Sequence, residues 1–537
     1  MEGEDRVITQ EVCREDEMYD GEMREVQVAG HPVLLVRDHL QFRGLGSKCP
    51  HAGAPLAKGY LGRGRIRCPF HGACFSLTMG DIEEYPTLDC LAAFKVTVES
   101  GQVYVTAKVK DLESGRRVKH MSKWSQLSSQ TVLLLGAGPA ALTCAETLRQ
   151  EGFTGRVIMV TRENHQPYDR TKLSKEMDAK AESIYLRPQS FLDAHNIEVW
   201  MQKEVVSLDL DGKRAQFSDG TCQGYDHLLI ATGSRPRRLQ CPGSNLQNIC
   251  VLLTPEDASQ ILHLATGKRV AIVGASFIGM EVAASLVGKA ACIQVVEKAD
   301  SPYQAVLGDQ VGRVAMKMLQ AQGVTFHMKA EVAEVQGERG KVTQVILDNG
   351  QKIPADVVVV GIVHADQHPF CLCCWGRGLL SCGSARWEEH KHLSLADCPS
   401  PRPCGCPQHP AETGEAAYGA FLLDQVAKEE HPVCRYEGEG SPLHWPAWLP
   451  TVQSDPKIWA PCSFPSGCGI GYTETVLKGD LDQEKFLLFY IKEGFVTAAA
   501  SLNFDPKLAM VAEVMYSGKT ISKQEAELMG DDTLQET

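Results

Sequence analysis

The chain has 537 residues, which is too long for one ordinary hydrophobic core and predicts several domains. It carries 54 basic and 67 acidic residues, a net charge of -13, and this balance argues against nucleic acid or an anionic membrane as the main partner. No apolar run is long enough to span a bilayer, so no transmembrane segment is expected. The acidic start MEGEDRVITQEV is unlike a signal or transit peptide, and the cytoplasm is the default compartment.

The first 110 residues alternate apolar and polar side chains over short segments separated by Gly-rich turns, which predicts a small all-β domain. Two motifs in it, CPH and CPFH, each combine one cysteine with one histidine. Zinc is one interpretation, but zinc-finger spacing usually pairs the cysteines in one knuckle and the histidines in another. A 2Fe-2S cluster with two histidines on one iron needs a Cys and a His from each of two facing loops. The predicted metal ligands are Cys49, His51, Cys68 and His71.

This pattern resembles the Rieske motif. Gly53 and Gly72 beside the ligands suit loops whose backbone N–H groups approach cluster sulfurs. Rieske domains of cytochrome complexes carry a disulfide at the positions that match Ala54 and Phe70, so the resemblance is to the ferredoxin-type branch. Cys74 lies outside the ligand pattern and is expected to serve packing.

A polar stretch at 111–130 is predicted to be a linker, and the texture then changes to strand, Gly turn, helix and strand, as in a doubly wound α/β domain. Gly136, Gly138 and Ala141 follow the strand TVLLL and open a helix, where a pyrophosphate can approach the backbone. Glu163 ends the next strand, where a carboxylate can hold a ribose hydroxyl pair.

The same unit recurs at KRVAIVGASFIGMEVAASLVGKAACIQVVEK. Its turn contains Gly274, Ser276 and Gly279, and serine in the middle position is small enough for close backbone approach. Glu297 ends the following strand. An acidic residue there suits an unphosphorylated ribose and repels a 2'-phosphate, so NADH is favoured over NADPH.

The segments PYDRTKLSK and YDHLLIATGSRPR resemble the FAD-binding half of pyridine-nucleotide-disulfide oxidoreductases, particularly the ferredoxin-reductase and apoptosis-inducing-factor branch. With the Rieske motif, residues 1–362 and 469–537 resemble the Rieske-containing, apoptosis-inducing-factor-like reductases. The resemblance implies hydride transfer from NADH to FAD, then single electrons to a fused 2Fe-2S cluster and an unidentified acceptor. It also implies a mitochondrial association as the alternative to the cytoplasm, although no presequence is recognisable.

In this branch the lysine of LSK and the glutamate after the second Gly turn meet beside the flavin. By this match Lys175 and Glu281 are the expected catalytic pair. The resemblance further implies that the FAD contacts include Arg170, Lys175, Val205, Thr232, Gly233 and Arg237.

The resemblance stops after VVVVGI. Relatives continue into a Gly-x-x-Pro-Asn turn and then a second flavin motif ending in Ala-x-Gly-Asp, and neither is present. Asp480 in TETVLKGD is a decoy, because the first strand of the C-terminal module should begin there. The segment instead contains seven clustered cysteines, and only one pair of them, Cys371 and Cys374, has CxxC spacing, which argues against a two-knuckle zinc module. We expect aberrant sequence, such as an unusual splice form, and local disorder. The cysteines are Cys371, Cys373, Cys374, Cys382, Cys398, Cys404 and Cys406.

The expected fold is therefore multidomain α/β, with an all-β Rieske domain, two doubly wound nucleotide-binding units and a C-terminal α+β module. The expected boundaries are 1–110 for the Rieske domain, 111–130 for the linker, 131–255 for the first FAD-binding half, 256–362 for the NAD-binding domain, 363–468 for the atypical Cys/Pro-rich segment and 469–537 for the C-terminal reductase module.

Three functions fit the sequence. An NADH-dependent flavoenzyme with a fused Rieske carrier is favoured, because both nucleotide turns and the cluster motif are present in family order. The alternative is a Rieske electron carrier or nucleotide-binding protein with a compromised flavin site and little reductase activity. A Rieske oxygenase would need a mononuclear iron held by two histidines and a carboxylate, and the α/β nucleotide turns argue against it.

Overall fold

A computed structural model of the chain describes residues 6–233, 235–362, 392–394, 471–504 and 506–529. Its sheets follow chain order: an antiparallel β domain, two mostly parallel sheets with helices, and a C-terminal antiparallel sheet with two helices. The multidomain α/β architecture predicted from the sequence is confirmed. No helix in the described ranges is both long and apolar enough to cross a membrane.

The N-terminal domain has a six-stranded antiparallel sheet and a smaller four-stranded sheet that carries the second Cys/His loop. In strand His31–Asp38, Leu34 and Val36 face the core that also contains Cys49 and Cys68. The alternate residues, Val33 and Leu35, face a second core, as the period of two in a strand requires. In sheet order the strands are Val7–Arg14, Gln102–Lys108, Ala93–Glu99, Gln41–Gly46, His31–Asp38 and Met23–Val28, then Tyr60–Gly62, Arg65–Arg67, Cys74–Ser76 and Ile82–Glu84.

The first domain continues further than its predicted end. Helix Val109–Ser114 buries Leu112 in the domain core, and strand Arg116–Arg117 pairs antiparallel with Cys90–Leu91. Residues 111–117 are therefore part of the β domain, and the linker predicted from residue 111 was wrong at its start. Leu112 is the one apolar side chain in 111–117 and anchors the stretch to the core, but its polar neighbours make the sequence look like a linker.

The FAD-binding unit is built on a parallel sheet with strand order Ile197–Trp200, Arg156–Val160, Thr131–Leu135 and His227–Ile230. Helices Pro139–Gln150 and Gln189–Ala194 accompany it. A second, antiparallel sheet contains Cys222–Gly224, Arg214–Phe217, Val205–Asp209 and His392–Ser394. The last of these strands comes from the segment predicted to be atypical; the rest of 363–468, including its seven cysteines, lies outside the described residues.

The NAD-binding unit repeats the arrangement with a five-stranded parallel sheet, a three-stranded antiparallel sheet and three helices. The parallel strands, in order, are Ile249–Val251, Val357–Val360, Arg269–Val273, Cys292–Glu297 and Thr325–Met328. The antiparallel strands are Val332–Glu338, Lys341–Leu347 and Lys352–Pro354. The helices are Pro255–Ala265, Phe277–Leu286 and Gln304–Ala321, the last kinked at Gly308.

The C-terminal module pairs strands Glu474–Asp480, Lys485–Lys492 and Phe495–Leu502, followed by helices Lys507–Tyr516 and Lys523–Leu528. Asp480 ends the first strand of this sheet, as expected for a residue of the C-terminal module. The sheet packs on the NAD unit, where the Tyr490 hydroxyl donates to the Leu307 carbonyl at 2.7 Å.

Candidate functional site

The two Cys/His loops are built alike, although their histidines differ in spacing. In the first, Gly53 N–H donates to the Cys49 carbonyl at 2.9 Å; in the second, Gly72 N–H donates to the Cys68 carbonyl at 3.3 Å. Each cysteine N–H donates to the alanine that follows the glycine. Both glycines have left-handed φ, 72° and 71°, a conformation that glycine adopts without strain. The sequence therefore repeats a turn that presents one thiol and one imidazole from each loop.

These loops bring all four predicted ligands together. Cys49 and Cys68 are buried and not in a disulfide, and their thiols are hydrogen-bonded to each other. The Nδ1 atoms of His51 and His71 lie 3.1 Å apart. The hydrogen bond from Cys68 and burial raise the pKa of Cys49 well above its ordinary value, because two adjacent thiolates without a cation would repel. Two buried thiols and two half-buried imidazoles converge here, and this donor set fits a 2Fe-2S cluster of the Rieske type.

The His51 loop faces the FAD-binding unit. Burial lowers the pKa of His51, and the charges acting on this imidazole are Asp169, Lys175 and Lys172. All three belong to the segment YDRTKLSK, whose short helix Arg170–Lys172 is capped by the Asp169 side chain. The cluster pocket therefore lies beside the flavin-binding segment of the same chain.

The first Gly turn is packed tightly against a neighbouring strand end. Gly136 has φ 111°, and its N–H donates to Val160 at 2.8 Å. A Cβ there would overlap the carbonyl oxygen of Ala231, whereas a Cβ on Gly138 would meet nothing within 4 Å. Gly138 is the N-cap of helix Pro139–Gln150, and Ala141 is fully buried beneath it. The open space over the helix N-terminus suits a pyrophosphate.

Glu163, which was predicted to end its strand, lies three residues beyond the end of strand Arg156–Val160 and is held by two neighbours. Its carboxylate accepts hydrogen bonds from Arg170 at 2.6 Å and from the Tyr168 hydroxyl at 2.8 Å. Arg170 also donates to the Leu253 carbonyl at 2.9 Å, which links the two nucleotide units. Burial raises the pKa of Tyr168, so its hydroxyl stays a donor. A carboxylate has several lone pairs, and those not used here are available to a ribose.

Lys175 and Glu281 meet across the two nucleotide units. Lys175 Nζ lies 3.3 Å from Glu281 Oε2 and donates to the Thr171 carbonyl at 2.7 Å. Glu281 also accepts from the Ser174 hydroxyl. Burial raises the pKa of Glu281, while Lys175 and Ser174 oppose that shift. Ser174 is a member of this cluster that the sequence did not single out, although it stands between two predicted positions in LSK.

The remaining predicted FAD residues lie at the strand ends of the same unit. Thr232 and Gly233 follow strand His227–Ile230 beside the Gly136 turn, and Gly233 has φ 70°. Val205 begins the antiparallel strand Val205–Asp209 and packs on the buried residues beneath that sheet. Arg237 is exposed on the loop beyond Gly233.

The second Gly turn is assembled with different contacts. Gly274 has φ 99°, and a Cβ on Gly279 would overlap the Gly274 carbonyl oxygen. The Ser276 hydroxyl donates to the carbonyl of Gly361 at 2.6 Å. This bond fastens the turn to the end of the VVVV strand and explains how serine fits the middle position. Glu297 accepts from the N–H groups of Ala275 at 2.7 Å and Ala299 at 3.0 Å.

Two groups of buried charges were not predicted from the sequence. Glu513 of the C-terminal helix contacts Arg65 and Arg67 of the β domain, and Arg187 joins Asp89 to Glu146. The sequence carried one weak signal for the first group, the two arginines of RIR immediately before Cys68. Their partner lies more than 440 residues away, so no local pattern could identify it.

The comparisons with known proteins agree with this arrangement. Residues 8–95 match the family model described as Rieske [2Fe-2S] domain, and residues 130–368 match the model for pyridine nucleotide-disulphide oxidoreductase. The second match ends within a few residues of the point where the nucleotide-binding pattern stops. The fold and the site thus define a Rieske-fused pyridine nucleotide oxidoreductase.

Whole-chain similarity narrows the family. Apoptosis-inducing factor 3 of Homo sapiens is 40% identical over 529 residues, covering 96% of this chain and 85% of the relative. Rubredoxin-NAD(+) reductase of Pseudomonas putida is 34% identical over 43% of this chain and 61% of its own length. A crystal structure of the ferredoxin reductase for the CYP199A2 system from Rhodopseudomonas palustris shares the fold, with TM-score 0.55, 22% identity, and coverage of 74% of this chain and 98% of that one.

The chain belongs to the apoptosis-inducing factor 3 family of Rieske-containing pyridine nucleotide-disulphide oxidoreductases. The resemblance found in the motifs is confirmed, as are the oxidoreductase class and the cofactors: a Rieske 2Fe-2S cluster, FAD and NAD(H).

Proposed function

We propose that this chain passes electrons from NADH to its own Rieske centre, with each predicted site residue in a defined role. Cys49, His51, Cys68 and His71 hold the cluster; Gly136, Gly138, Ala141 and Glu163 receive the FAD pyrophosphate and ribose; Gly274, Ser276, Gly279 and Glu297 receive NADH. The domain boundaries proposed for these functions are those predicted from the sequence, 111–130 for the linker, then 131–255, 256–362 and 469–537 for the FAD, NAD and C-terminal modules, with two changes: residues 111–117 join the β domain, and strand Ile249–Val251 joins the NAD sheet.

When bound, FAD accepts a hydride and the 2Fe-2S cluster accepts single electrons, which is chemistry that side chains cannot supply. The protein contributes binding, orientation and charge. Lys175 offers a positive charge beside the ring position, and Glu281 with Ser174 holds that ammonium in place. Arg170 donates hydrogen bonds to Glu163 and to the Leu253 carbonyl. These two bonds hold the ribose end of the FAD site against the NAD unit.

One observation carries this proposal: the half-buried His51 ring lies beside the segment that contains Asp169, Lys172 and Lys175, whose charges act on it. A histidine ligand of the cluster lies within reach of the charges that would border the flavin. Electrons could then cross between the two cofactors inside one chain, without a separate ferredoxin diffusing to the reductase.

The test replaces His51 with Ala. We expect the Rieske electron-paramagnetic signal to disappear, while NADH still bleaches whatever flavin is bound, because the FAD residues are untouched. The matched control is His39→Ala in the same domain, since the His39 side chain is 86% exposed and pairs only with its neighbour Asp38 among the described ion pairs. Zinc in place of iron and labile sulfide in the unmodified protein would contradict the cluster assignment.

The second candidate is an electron carrier with a compromised flavin site. It is favoured by the absence of the Ala-x-Gly-Asp motif, whose lost charge-assisted hydrogen bond would cost about 1.5–3 kcal/mol, roughly ten- to a hundredfold in FAD affinity. Flavin content of the purified protein separates the two. One FAD per chain, reduced by NADH and followed by cluster reduction, supports the enzyme; a full cluster with little FAD supports the carrier.

The acceptor and the compartment are further proposals. Relatives are named rubredoxin-NAD(+) reductase and ferredoxin–NAD(+) reductase, which suggests a small redox protein as the electron acceptor here. For the compartment, the family resemblance favours mitochondria, and the cytoplasm is the other candidate. Cell fractionation with antibody detection distinguishes these compartments.

A further inference from the structure

The β domain that carries the cluster contacts the C-terminal module through an ion cluster formed by Arg65, Arg67, Glu84 and Glu513. Glu513 lies on helix Lys507–Tyr516, and its side chain is 5% exposed; the Arg67 side chain is 4% exposed. Arg67 donates to Glu513 Oε2 through Nε at 3.1 Å and through a terminal nitrogen at 2.8 Å. Arg65 donates to the other Glu513 oxygen. One carboxylate thus binds two guanidinium groups of the other domain.

The contact also includes cation–π stacking on an aromatic ring. The guanidinium carbons of Arg65 and Arg67 lie 4.7 and 5.4 Å from the ring centroid of Tyr516, one helical turn beyond Glu513. Arginine is suited to such a site because its planar group can stack and form paired hydrogen bonds at once. The combination of paired hydrogen bonds and ring stacking indicates a specific interface between the two domains.

Arg67 extends the contact to the cluster loop. Its other terminal nitrogen donates to the Gly72 carbonyl at 2.9 Å and to Glu84 at 3.0 Å. Gly72 follows His71 directly, and Arg67 precedes Cys68. A continuous path of hydrogen bonds therefore runs from Glu513 through Arg67 to the backbone of the loop that carries two of the four ligands.

A second buried ion pair holds the other side of the same domain. Arg187 of the FAD unit donates to Asp89 at 2.6 Å and, through two bonds of 2.7 and 2.9 Å, to Glu146. These three side chains are nearly fully buried. The β domain is thus fixed at two separate points, one on the C-terminal module and one on the FAD unit.

The geometry points to Glu513 as a positioning residue: it docks the Rieske domain on the reductase and orients the His71 loop through Arg67. This inference rests on the proposed electron route for its functional meaning. Removing one partner of a buried ion pair leaves the other charge uncompensated, which is costly, so the docked arrangement depends on the carboxylate. Docking keeps His51 beside the segment that contains Asp169, Lys172 and Lys175.

The experiment compares Glu513→Gln with the unmodified full-length protein. Hydrogen exchange is measured at 65–76 and 507–516, and stopped-flow absorbance separates flavin reduction by NADH from cluster reduction. We expect exchange in both segments to rise on the order of a hundredfold, as for opening an interface that has lost one charge of a buried pair. Flavin reduction should be unchanged and cluster reduction slowed about tenfold or more, because only the second depends on docking.

Two further variants keep the result interpretable. Glu513→Asp retains the charge and should recover part of the protection and of the cluster-reduction rate. Glu527→Gln is the matched control, because Glu527 lies on the next helix with a half-exposed side chain and contacts only a surface lysine among the described ion pairs. An unaltered Rieske signal in Glu513→Gln establishes that the domain is folded.

The inference is overturned if Glu513→Gln matches the unmodified protein in exchange at both segments, or if flavin and cluster reduction slow equally. Failure of the proposed route is recognised separately, since the unmodified protein would then show no cluster reduction by NADH. The exchange comparison still decides the docking role in that case, because it requires no electron transfer.

Discussion

The two nucleotide-binding units share a strand, Gly turn and helix, yet the acidic residues at or just beyond the end of the next strand have different hydrogen-bond partners. Glu163 of the FAD unit binds two side chains, Arg170 and Tyr168, which belong to the flavin segment itself. Glu297 of the NAD unit binds two backbone N–H groups, those of Ala275 and Ala299. The same motif can thus be supported by a side-chain network or by the turn itself.

This difference suits the two ligands. A resident cofactor benefits from a site stiffened by long side chains from several elements, because less ordering remains to be done on binding. A substrate that binds and leaves in each turnover needs only a preformed turn. In the NAD turn, Gly279 and Gly361 approach each other closely, and the Ser276 hydroxyl binds the Gly361 carbonyl, so the turn is formed without long side chains from other elements.

In the FAD turn, Gly136 is expected to support the fold and Gly138 to leave room for the ligand. Replacing these two glycines has the largest expected effect. Gly136→Ala should unfold or strongly destabilise the unit, since its left-handed backbone costs about 1–3 kcal/mol and its Cβ overlaps Ala231. Gly138→Ala should leave the apoprotein within about 0.5 kcal/mol, because its backbone is extended and its Cβ meets nothing.

Thermal unfolding of the apoprotein and FAD titration check this pair. Gly138→Ala should bind FAD roughly tenfold or more weakly, because the methyl group occupies the space where the pyrophosphate approaches the helix. Equal melting temperatures for both variants would show that the Gly136 contact does not support the fold. Unchanged FAD affinity in Gly138→Ala would place the pyrophosphate elsewhere.

Local patterns predicted most of the site because the chemistry lies in short motifs. The four cluster ligands, both Gly turns and the meeting of Lys175 with Glu281 follow from residues within a few positions of one another or from the family resemblance. The Ser276 bond to Gly361 spans 85 residues and the Arg67 bond to Glu513 spans 446, so both depend on which sheets pack together. Sequence periodicity carries no information on that packing.

Helix Val109–Ser114 illustrates the second kind of miss. One buried leucine fixes it to the domain, while charged neighbours make the stretch read as a linker. A six-residue helix with a single buried apolar residue is too short to show a periodic pattern.

Glu281 lies in the NAD unit and contacts Lys175 of the FAD unit, so its titration tests how closely the two units are joined. Burial raises its pKa in the folded state above the unfolded value. The folded state then binds the proton more tightly, which contributes stability below the unfolded pKa that is lost as pH rises through the raised folded pKa. Stability of the joined units should fall with pH in that window.

Glu281→Gln should remove this slope, which for one proton is at most about 1.4 kcal/mol per pH unit. Denaturant unfolding at a series of pH values above 4.5 measures it. Glu176→Gln is the control, because Glu176 lies on the same flavin segment with a half-exposed carboxylate. If the two variants show the same pH dependence, Lys175 fully compensates burial and Glu281 titrates as an ordinary carboxylate.

The smallest expected effect concerns cofactor choice at Glu297. Its carboxylate is half-buried and held by Ala275 and Ala299, so its charge stays at the mouth of the NAD turn and repels a 2'-phosphate. Glu297→Gln retains an oxygen that can accept one of these N–H groups but removes the charge. The preference for NADH over NADPH, measured as the ratio of their kcat/KM values for flavin reduction, should narrow by roughly tenfold, about 1.4 kcal/mol.

Two comparisons decide what that change means. Glu331→Gln, at an exposed position after the last parallel strand of the same unit, should leave the ratio as it is. Glu297→Ala should narrow the preference and also weaken NADH, because the turn loses both of its acceptors. If the Gln and Ala variants behave alike, the hydrogen bonds to the backbone are dispensable and only the charge of Glu297 matters. If the unmodified protein uses NADH and NADPH equally, Glu297 only stabilises the turn and does not select the cofactor.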